Sequence, residues 1–398
     1  GGGTMGAGIA YALLNAGMTV ELIETDEAGA ARARENVEKI IRASVQRGLI
    51  TQDGMQTLRA RLGVGCDFGV AAGADLAIEA AFESMAVKQE VFLALQRVMR
   101  PDAVLATNTS YLNVDEIAAV LEDPSRLIGL HFFAPAHIMK LLEIVRGKCS
   151  SDPALATGFA LAKHLRKIPV LAGVCDGFIG NRILFRYREA ADALLIDGAT
   201  PWQIDEAMVE FGYAMGPYEV QDLSGLDIGF ANRRRLDATR DPGRRYIKVQ
   251  DRMVEAGRLG RKAGIGWYRY PEQGKKQRDG FVEDLILREA REEGITRRAF
   301  TAQEITRRLL LAMINEAAEI LHEGIAQSAA DIDLVTVHGY GFPRWRGGLM
   351  RYADELGAEN IRDQLNELCT EDASLWRPGK LVLFCAEKGM KFADWRKE

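Results

Sequence analysis

Short apolar runs alternate with amphipathic stretches along the chain up to about residue 172. The apolar runs predict strands, and the stretches between them, with apolar residues three or four positions apart, predict helices. Strands separated by helices are typical of a doubly wound sheet with parallel pairing and right-handed crossovers. The predicted strands are Val20–Glu24, Leu76–Glu79, Ala103–Thr107, Leu127–His131 and Ile168–Leu171, and the predicted helices are Met5–Ala16, Ala28–Arg47, Met85–Val98, Val114–Leu121 and Leu155–Leu165.

From about residue 176 onward helical periodicity dominates, and the sequence repeats itself. Glu189-Ala190-Ala191 recurs 127 residues later as Glu316-Ala317-Ala318, and Gly212-Tyr213 recurs at the same offset as Gly339-Tyr340. A fixed offset indicates two copies of one helical unit, with chance likeness between amphipathic helices as the alternative. We therefore predict an α/β Rossmann-type dinucleotide-binding domain over residues 1–174, followed by two all-α repeat subdomains over residues 175–296 and 297–398.

Composition excludes several classes of protein. The formal net charge of −5 gives no positive field for nucleic acid or an anionic membrane surface. No apolar run approaches the roughly 18–20 residues that span a bilayer. The five cysteines are scattered without a CxxC pair, which favours free or buried thiols over disulfides or a zinc site. No other cluster has metal-ligand spacing, so no metal is expected.

A glycine-rich loop opens the chain. Gly1, Gly3 and Gly6 fit the GxGxxG pattern, and a predicted helix follows at once. In a dinucleotide-binding loop the three glycines serve a tight turn, the approach of the pyrophosphate and the packing of helix on strand. A glycine-rich turn without a ligand is the alternative. Because such a loop normally follows a buried strand, we expect a first strand to precede Gly1.

Glu24 ends the next predicted strand, 18 residues after Gly6. A carboxylate at this place accepts hydrogen bonds from the adenosine ribose hydroxyls and repels a 2′-phosphate, so the pattern favours NAD over NADP. A solvated carboxylate at a strand end is the alternative for Glu24. Together, loop and acid predict NAD binding.

Polar residues follow two of the predicted strands at their carboxyl ends, where α/β sheets carry their chemistry. They are Asn108-Thr109-Ser110 and His131. An ordinary histidine titrates near ~6.5, which suits proton transfer at neutral pH. Glu143 lies in an apolar stretch twelve residues further on and could orient the imidazole. From the residues alone, His131 is either a catalytic base or a satisfied buried histidine, and Glu143 is either its partner or an ordinary salt-bridged glutamate.

A set of motifs resembles the 3-hydroxyacyl-CoA dehydrogenase family, in the family's order and over essentially the whole chain. The second helical copy, with residues 338–344 reading His-Gly-Tyr-Gly-Phe-Pro-Arg, resembles the dehydrogenase part of multifunctional β-oxidation enzymes. In those enzymes an enoyl-CoA hydratase region precedes the dehydrogenase. The motifs of the first 270 residues are Gly1–Gly6, Ile78–Glu83, Ala106–Ser110, His131–Pro135, Gly177–Arg182, Met215–Glu219 and Gly264–Tyr268.

The resemblance implies NAD-dependent oxidation of (S)-3-hydroxyacyl-CoA to 3-oxoacyl-CoA. It makes His131 the catalytic base, Glu143 its carboxylate partner, and Ser110 and Asn181 the pair that binds the substrate's hydroxyl and thioester oxygens. It places Glu83, Lys88 and Asn108 at the nicotinamide end of the cofactor site. The cofactor-binding residues so implied are Gly1, Gly3, Thr4, Met5, Gly6, Glu24, Ala80, Glu83, Lys88 and Asn108.

Two positions depart from the family's common pattern. Ala134 stands where many members have asparagine, so any hydrogen bond at that position is in doubt. Gly2 stands at a common alanine position, and we expect this change to glycine to be harmless in the loop. The repeat offset applied to Asn181 leads to Arg308, so the second copy lacks the substrate-binding asparagine and one active site per chain is expected.

Partners and location follow from these predictions. The predicted partner is an acyl-CoA thioester, with no nucleic acid, no membrane and the potential for a fused hydratase. Short relatives dimerise through their helical domain, so the second copy is predicted to replace a partner subunit within a monomer; a longer acyl-binding wall is the alternative. The terminal Arg396-Lys397-Glu398 is no peroxisomal Ser-Lys-Leu signal, which favours a bacterial cytoplasm over a peroxisome. Two other functions stay open: a non-catalytic dinucleotide-binding structural or sensor protein, and a dehydrogenase of free hydroxy acids.

Overall fold

The structure, a computed structural model, describes residues 1–397. Its contacts divide the chain into two compact units, and neither is continuous in sequence. The first unit consists of Gly1–Asn181 and Glu323–Tyr340, and the second consists of Arg182–His322 and the chain from Gly341 onward. A segment of the second helical copy thus belongs to the unit that contains the α/β region.

The first unit is built on two sheets. One holds β1 and β2 in parallel, and the other has the order β3-β4-β5-β6-β7, in which only β5 and β6 run antiparallel. The strands are β1 Val20–Ile23, β2 Leu62–Gly65, β3 Leu76–Glu79, β4 Val104–Thr107, β5 Leu127–Phe132, β6 Leu141–Arg146 and β7 Ile168–Gly173. The helices are α1 Thr4–Asn15, α2 Glu27–Gln46, α3 Gln52–Ala60, α4 Met85–Val98, α5 Val114–Ala118 and α6 Asp152–His164, and the first unit also includes α14, Ala329–Gly339.

Local sequence explains where these elements begin and why the sheet is buried. The side chains of Asp26, Thr51 and Ser151 accept hydrogen bonds from the first turns of α2, α3 and α6, where backbone N–H groups otherwise lack partners. Strands β4 and β5 are buried along their whole length. Because both faces of these strands are covered, they are continuous apolar runs without alternation.

The second unit is helical. Thr200 and Gln203 form a reciprocal capping box at the start of α8, with Pro201 in the first turn. No helix of residues 1–397 combines the length and apolar character needed to cross a membrane. The remaining helices are α7 Gly180–Asp197, which begins in the first unit, α8 Pro201–Phe211, α9 Pro217–Ser224, α10 Leu226–Arg235, α11 Val249–Glu255, α12 Gly280–Glu292, α13 Ala302–Glu323, α15 Leu349–Leu356, α16 Ala358–Cys369, α17 Ala373–Trp376 and α18 Lys380–Lys388.

All five predicted strands are present, but the pattern missed β2 and β6, and uniform parallel pairing is wrong. Residues 133–140 connect β5 to β6, which is too short a connection for the dozen or more residues that a parallel crossover needs. Strand β6 is buried over Leu141–Val145, but the charged Glu143 interrupts its apolar run, so the pattern does not mark it as a strand. This missed strand carries Glu143.

Candidate active site

His131 and Glu143 are direct partners across the antiparallel pair of β5 and β6. Residues directly opposite each other in such a pair project from the same face. His131 Nδ1 lies 2.7 Å from Glu143 Oε2, and the two side chains are 5% and 0% exposed. The antiparallel register therefore explains how residues twelve apart in sequence form a buried imidazole–carboxylate pair.

Ser110 completes a row of three side chains. It follows the carboxyl end of β4, and its Oγ lies 3.2 Å from His131 Nε2. A carboxylate can only accept hydrogen bonds, so Nδ1 carries the imidazole proton and donates it in a hydrogen bond to Glu143. Nε2 then accepts a hydrogen bond from the Ser110 hydroxyl. Nε2 is thus the ring nitrogen that can take up a proton.

The second oxygen of Glu143 fixes the start of α7. Glu143 Oε1 accepts hydrogen bonds from the backbone N–H groups of Ile179, at 3.2 Å, and Gly180, at 3.0 Å. The turn before them includes Phe178 at φ +50°, a left-handed conformation that residues other than glycine seldom adopt. Asn181 follows directly, so one carboxylate holds both the imidazole and the backbone beside the predicted substrate-binding asparagine.

Glu83 holds the loop that carries Ser110. Its Oε1 accepts hydrogen bonds from the Thr109 hydroxyl at 2.6 Å, from Ser110 N at 2.9 Å and from Tyr111 N at 3.2 Å. Burial by itself raises the pKa of the Glu83 carboxyl, but the Lys88 ammonium and these hydrogen bonds outweigh it and lower the pKa below its usual range. Glu83 is therefore a charged anchor for the Ser110 loop.

Lys88 is buried beside Glu79 and Glu83. Its predicted place at the nicotinamide end of the cofactor site stays a prediction. Its side chain is 1% exposed, and Nζ lies 2.9 Å from both carboxylate oxygens of Glu79 and 3.2 Å from Glu83 Oε2. The Thr107 hydroxyl also donates to Glu79. Lys88 thus contacts the site through Glu83, and Glu79 is an ionic anchor that the sequence pattern did not single out, although it lies in a motif of the family.

Replacement of Lys88 by methionine is expected to destabilise the protein by about 3–5 kcal/mol, because it leaves the buried Glu79 carboxylate without its cation. The free energy of unfolding measured by urea denaturation tests this. Arg100→Met is the matched control, since Arg100 pairs with Asp75 and Asp102 on the surface and its loss should be within error of the wild type. If the Lys88→Met variant is as stable as the wild type, Lys88 is not the cation that neutralises the buried Glu79 carboxylate.

Asn108, at the end of β4, is hydrogen-bonded to the ends of two other strands, β3 and β5. Its Oδ1 accepts a hydrogen bond from Phe132 N at 2.9 Å, and its own N–H donates to the Glu79 carbonyl at 2.8 Å. The ends of β3, β4 and β5 are thereby held at the same edge of the sheet. Its predicted contact with the cofactor stays a prediction.

The glycine loop has the shape that a dinucleotide requires. A Cβ on Gly6 would lie 1.8 Å from the Gly1 carbonyl oxygen, and one on Gly1 would lie 2.7 Å from the Ala80 carbonyl oxygen. A Cβ on Gly3, by contrast, would have no neighbouring atom within 4 Å, so the loop is open at that point. Helix α1 begins at Thr4, followed by Met5, and no side chain caps it, so its N–H groups can meet a phosphate. These residues fit an NAD pyrophosphate.

Glu24 lies against this loop, where its Oε1 accepts a hydrogen bond from Gly2 N. Gly2 leaves little room for a side chain. A Cβ there would lie 2.2 Å from Ala33 Cβ on α2 and 2.9 Å from Leu22 Cδ2. The loop is packed tightly on β1 and α2, so alanine at Gly2 would require both neighbours to shift.

Two further predicted positions can be placed. Arg308, the repeat counterpart of Asn181, is 4% exposed and donates to Glu371 at 2.8 Å within the second unit. Ala134 is exposed, after the end of β5. Within residues 1–397, no group of three or more histidine, cysteine or acidic side chains is arranged to hold a metal ion.

Family models agree with this fold. The model described as 3-hydroxyacyl-CoA dehydrogenase, NAD binding domain, matches residues 1–175, and the model of the C-terminal domain matches residues 177–270 and 305–383. The chain belongs to the 3-hydroxyacyl-CoA dehydrogenase family. The resemblance stated from the motifs is confirmed, as are NAD as the cofactor of the α/β domain and a helical C-terminal part in two segments.

Similar proteins extend over nearly the whole chain. The peroxisomal bifunctional enzyme of Danio rerio is 40% identical over 376 residues, which cover 91% of this chain and 52% of the relative. The chain spans about half the length of the curated relatives it matches. Among solved structures, 3-hydroxybutyryl-CoA dehydrogenase from Escherichia coli K12 has a TM-score of 0.83 at 28% identity, with 98% and 97% of the two chains covered. The dehydrogenase part of multifunctional enzyme 1 from C. elegans has a TM-score of 0.70 at 29% identity, with 96% and 87% covered.

Proposed function

We propose that this chain catalyses the NAD-dependent oxidation of (S)-3-hydroxyacyl-CoA to 3-oxoacyl-CoA in fatty-acid β-oxidation, at one site per chain. The observation that carries the proposal is the row Ser110–His131–Glu143, with distances of 3.2 Å and 2.7 Å and a fully buried carboxylate. A histidine oriented at Nδ1 by a carboxylate presents Nε2 as a general base.

Oxidation of a secondary alcohol requires removal of the proton from the hydroxyl oxygen while a hydride leaves the carbon that bears the hydroxyl. Bound NAD⁺ supplies the hydride acceptor. His131 takes the proton at Nε2, and the Glu143 carboxylate stabilises the imidazolium that results. Ser110 hydrogen-bonds the reacting oxygen beside Nε2, and Asn181 holds the thioester oxygen. Effective molarities measured for well-oriented reactions show that such positioning can lower the barrier by several kcal/mol.

Two other functions are less well supported. A non-catalytic dinucleotide-binding or sensor protein has no need of a fully buried carboxylate that holds a histidine by its Nδ1. A dehydrogenase of free hydroxy acids needs a cation for the substrate carboxylate, and Lys88, which is linked to the Ser110 loop through Glu83, is already neutralised by Glu79 and Glu83. Both observations favour a neutral thioester as substrate.

The experiment that tests the function follows NADH oxidation at 340 nm. We expect the purified chain to oxidise NADH with acetoacetyl-CoA and to show at least about a hundredfold lower kcat/KM with free acetoacetate, because two or more substrate contacts are lost. No turnover with the thioester would overturn the proposal. Equal turnover with both substrates would favour the dehydrogenase of free hydroxy acids.

We also propose a fused context for the chain. Its relatives named bifunctional and multifunctional enzymes are about twice as long, which supports an enoyl-CoA hydratase region in the same polypeptide. A bacterial cytoplasm and a peroxisome are the two candidate compartments, and the relatives named peroxisomal favour the second. Localisation of the tagged full-length protein distinguishes them.

We propose that residues 175–296 and 297–398 are two copies of one domain, and that the second replaces a partner subunit. The repeated glutamates support this proposal, because Glu189 and Glu316 both contact Arg186, each at 2.6 Å. The same C-terminal family model also matches a segment of each copy. A monomer is expected in sedimentation, and an obligate dimer formed through the helical domain would contradict the proposal.

A further inference from the structure

Asn181 has a partner from the second helical copy. The hydroxyl of Tyr340, at the end of α14, donates a hydrogen bond to Asn181 Oδ1 at 2.8 Å. Both residues belong to the first unit, although 159 positions separate them in sequence. An asparagine amide has one acceptor oxygen and one donor nitrogen. Because Oδ1 is held by Tyr340, the amide has a fixed orientation and Nδ2 is its donor for a substrate oxygen.

The surroundings of Tyr340 keep its ring in place. A Cβ on Gly180 would lie 2.5 Å from Tyr340 Cε2, so the ring packs against the backbone just before Asn181. The ring of Phe133 makes an edge contact with Tyr340, at 5.6 Å between centroids, and also lies 4.6 Å from the His131 ring. A Cβ on Gly339 would lie 2.7 Å from Leu141 Cδ2, so the end of α14 packs closely against β6.

The repeat shows what distinguishes this tyrosine. Tyr213 is its counterpart in the first copy, and it lies in the second unit among Tyr187, Phe211 and Phe342. Its hydroxyl is directed at the sulfur of Met313, a weak acceptor at 3.9 Å. The two copies thus place the same residue in different roles, one in an aromatic core and one beside the predicted substrate-binding amide.

We infer that Tyr340 is a positioning residue for the reaction: its hydroxyl orients the Asn181 amide so that Nδ2 donates to the thioester oxygen of the substrate. The inference rests on the proposed function and extends it, because it gives the second helical copy a direct part in substrate binding. Without the hydroxyl, the amide is free to turn its acceptor oxygen toward the substrate oxygen, and two acceptors repel each other.

The experiment compares Tyr340→Phe with Tyr213→Phe by steady-state kinetics with acetoacetyl-CoA and NADH. Tyr340→Phe retains the ring, and we expect kcat/KM for the thioester to fall about tenfold, mostly through KM, the loss of one hydrogen bond in a buried site. The KM for NADH should not change. A general disturbance of the fold would alter it as well. Tyr213→Phe should match the wild type in both constants.

A double-mutant cycle separates a positioning role from a structural one. In an Asn181→Ala background, Tyr340→Phe should cause no further loss of kcat/KM, because the residue acts only through the missing amide. A full tenfold loss in that background, or wild-type constants for Tyr340→Phe alone, would overturn the inference while leaving the proposed function intact. A wild-type chain without thioester turnover overturns the proposed function and the inference with it.

Discussion

Replacement of His131 by alanine is expected to lower kcat by about 10²–10⁴-fold, the contribution that a positioned general base makes. His131 Nε2 is the only nitrogen of the Ser110–His131–Glu143 row placed to take the substrate proton, and Ser110 cannot substitute for it because a hydroxyl is a far weaker base. The KM for NADH should stay close to that of the wild type, since the glycine loop is untouched. Steady-state rates at 340 nm with acetoacetyl-CoA measure both constants.

Two controls separate this effect from loss of structure. His131→Asn keeps an amide donor for the buried Glu143 carboxylate but removes the base, so it should be as inactive as His131→Ala and more stable. His164→Ala removes an exposed histidine whose Nε2 lies 2.8 Å from the Ala16 carbonyl, and it should leave kcat unchanged. Substantial activity in His131→Asn would mean that another group accepts the proton.

The second large effect is expected for Glu143→Gln, which preserves size and removes only the charge. The Glu143 side chain accepts hydrogen bonds from Ile179 N, Gly180 N and His131 Nδ1, and all three partners are donors. If the glutamine oxygen stays on the backbone N–H groups, its NH₂ group faces Nδ1 and forces the imidazole into the other tautomer. Nε2 then carries a proton and cannot accept one. We expect kcat to fall by roughly 10⁴, as for the loss of a carboxylate that orients a histidine.

Glu289→Gln is the matched control for Glu143→Gln. Glu289 is also buried, at 3% exposure, but it lies on α12 in the second unit and contacts Arg252. It should retain wild-type kcat whatever its effect on stability. A Glu143→Gln enzyme with a kcat within threefold of the wild type would show that the carboxylate is a structural ion-pair partner only.

Most helices and strands of the first 172 residues could be predicted because their signals are local. Alternating apolar runs and amphipathic stretches depend on neighbouring residues, and caps such as Asp26 and Ser151 act within one turn. Strand β6 was missed because the charged Glu143 interrupts its apolar run, and the antiparallel pairing could not be read from strand order alone. His131 and Glu143 were nevertheless singled out as candidates, one at a predicted strand end and the other in an apolar stretch.

Other parts of the site depend on contacts between distant segments. The resemblance places Lys88 at the cofactor site, but no local pattern indicates that its ammonium lies between two carboxylates from outside its own helix. The close packing of Gly2 against Ala33 of α2 likewise depends on segments that are distant in sequence. Tyr340 and Asn181 are 159 positions apart in sequence, and no local pattern indicates that they are in contact.

His131, held by Glu143, is central to the proposed 3-hydroxyacyl-CoA dehydrogenase site because it is the base that takes the substrate proton. The most direct test is kcat/KM for (S)-3-hydroxybutyryl-CoA with NAD⁺, the direction in which the base takes the proton, in the wild type, His131→Ala, Glu143→Gln and the double variant. If Glu143 acts through His131, the double variant should be no slower than His131→Ala alone, because residues that act as a unit are not additive. Multiplied losses in the double variant, or near wild-type turnover by His131→Ala, would contradict this role.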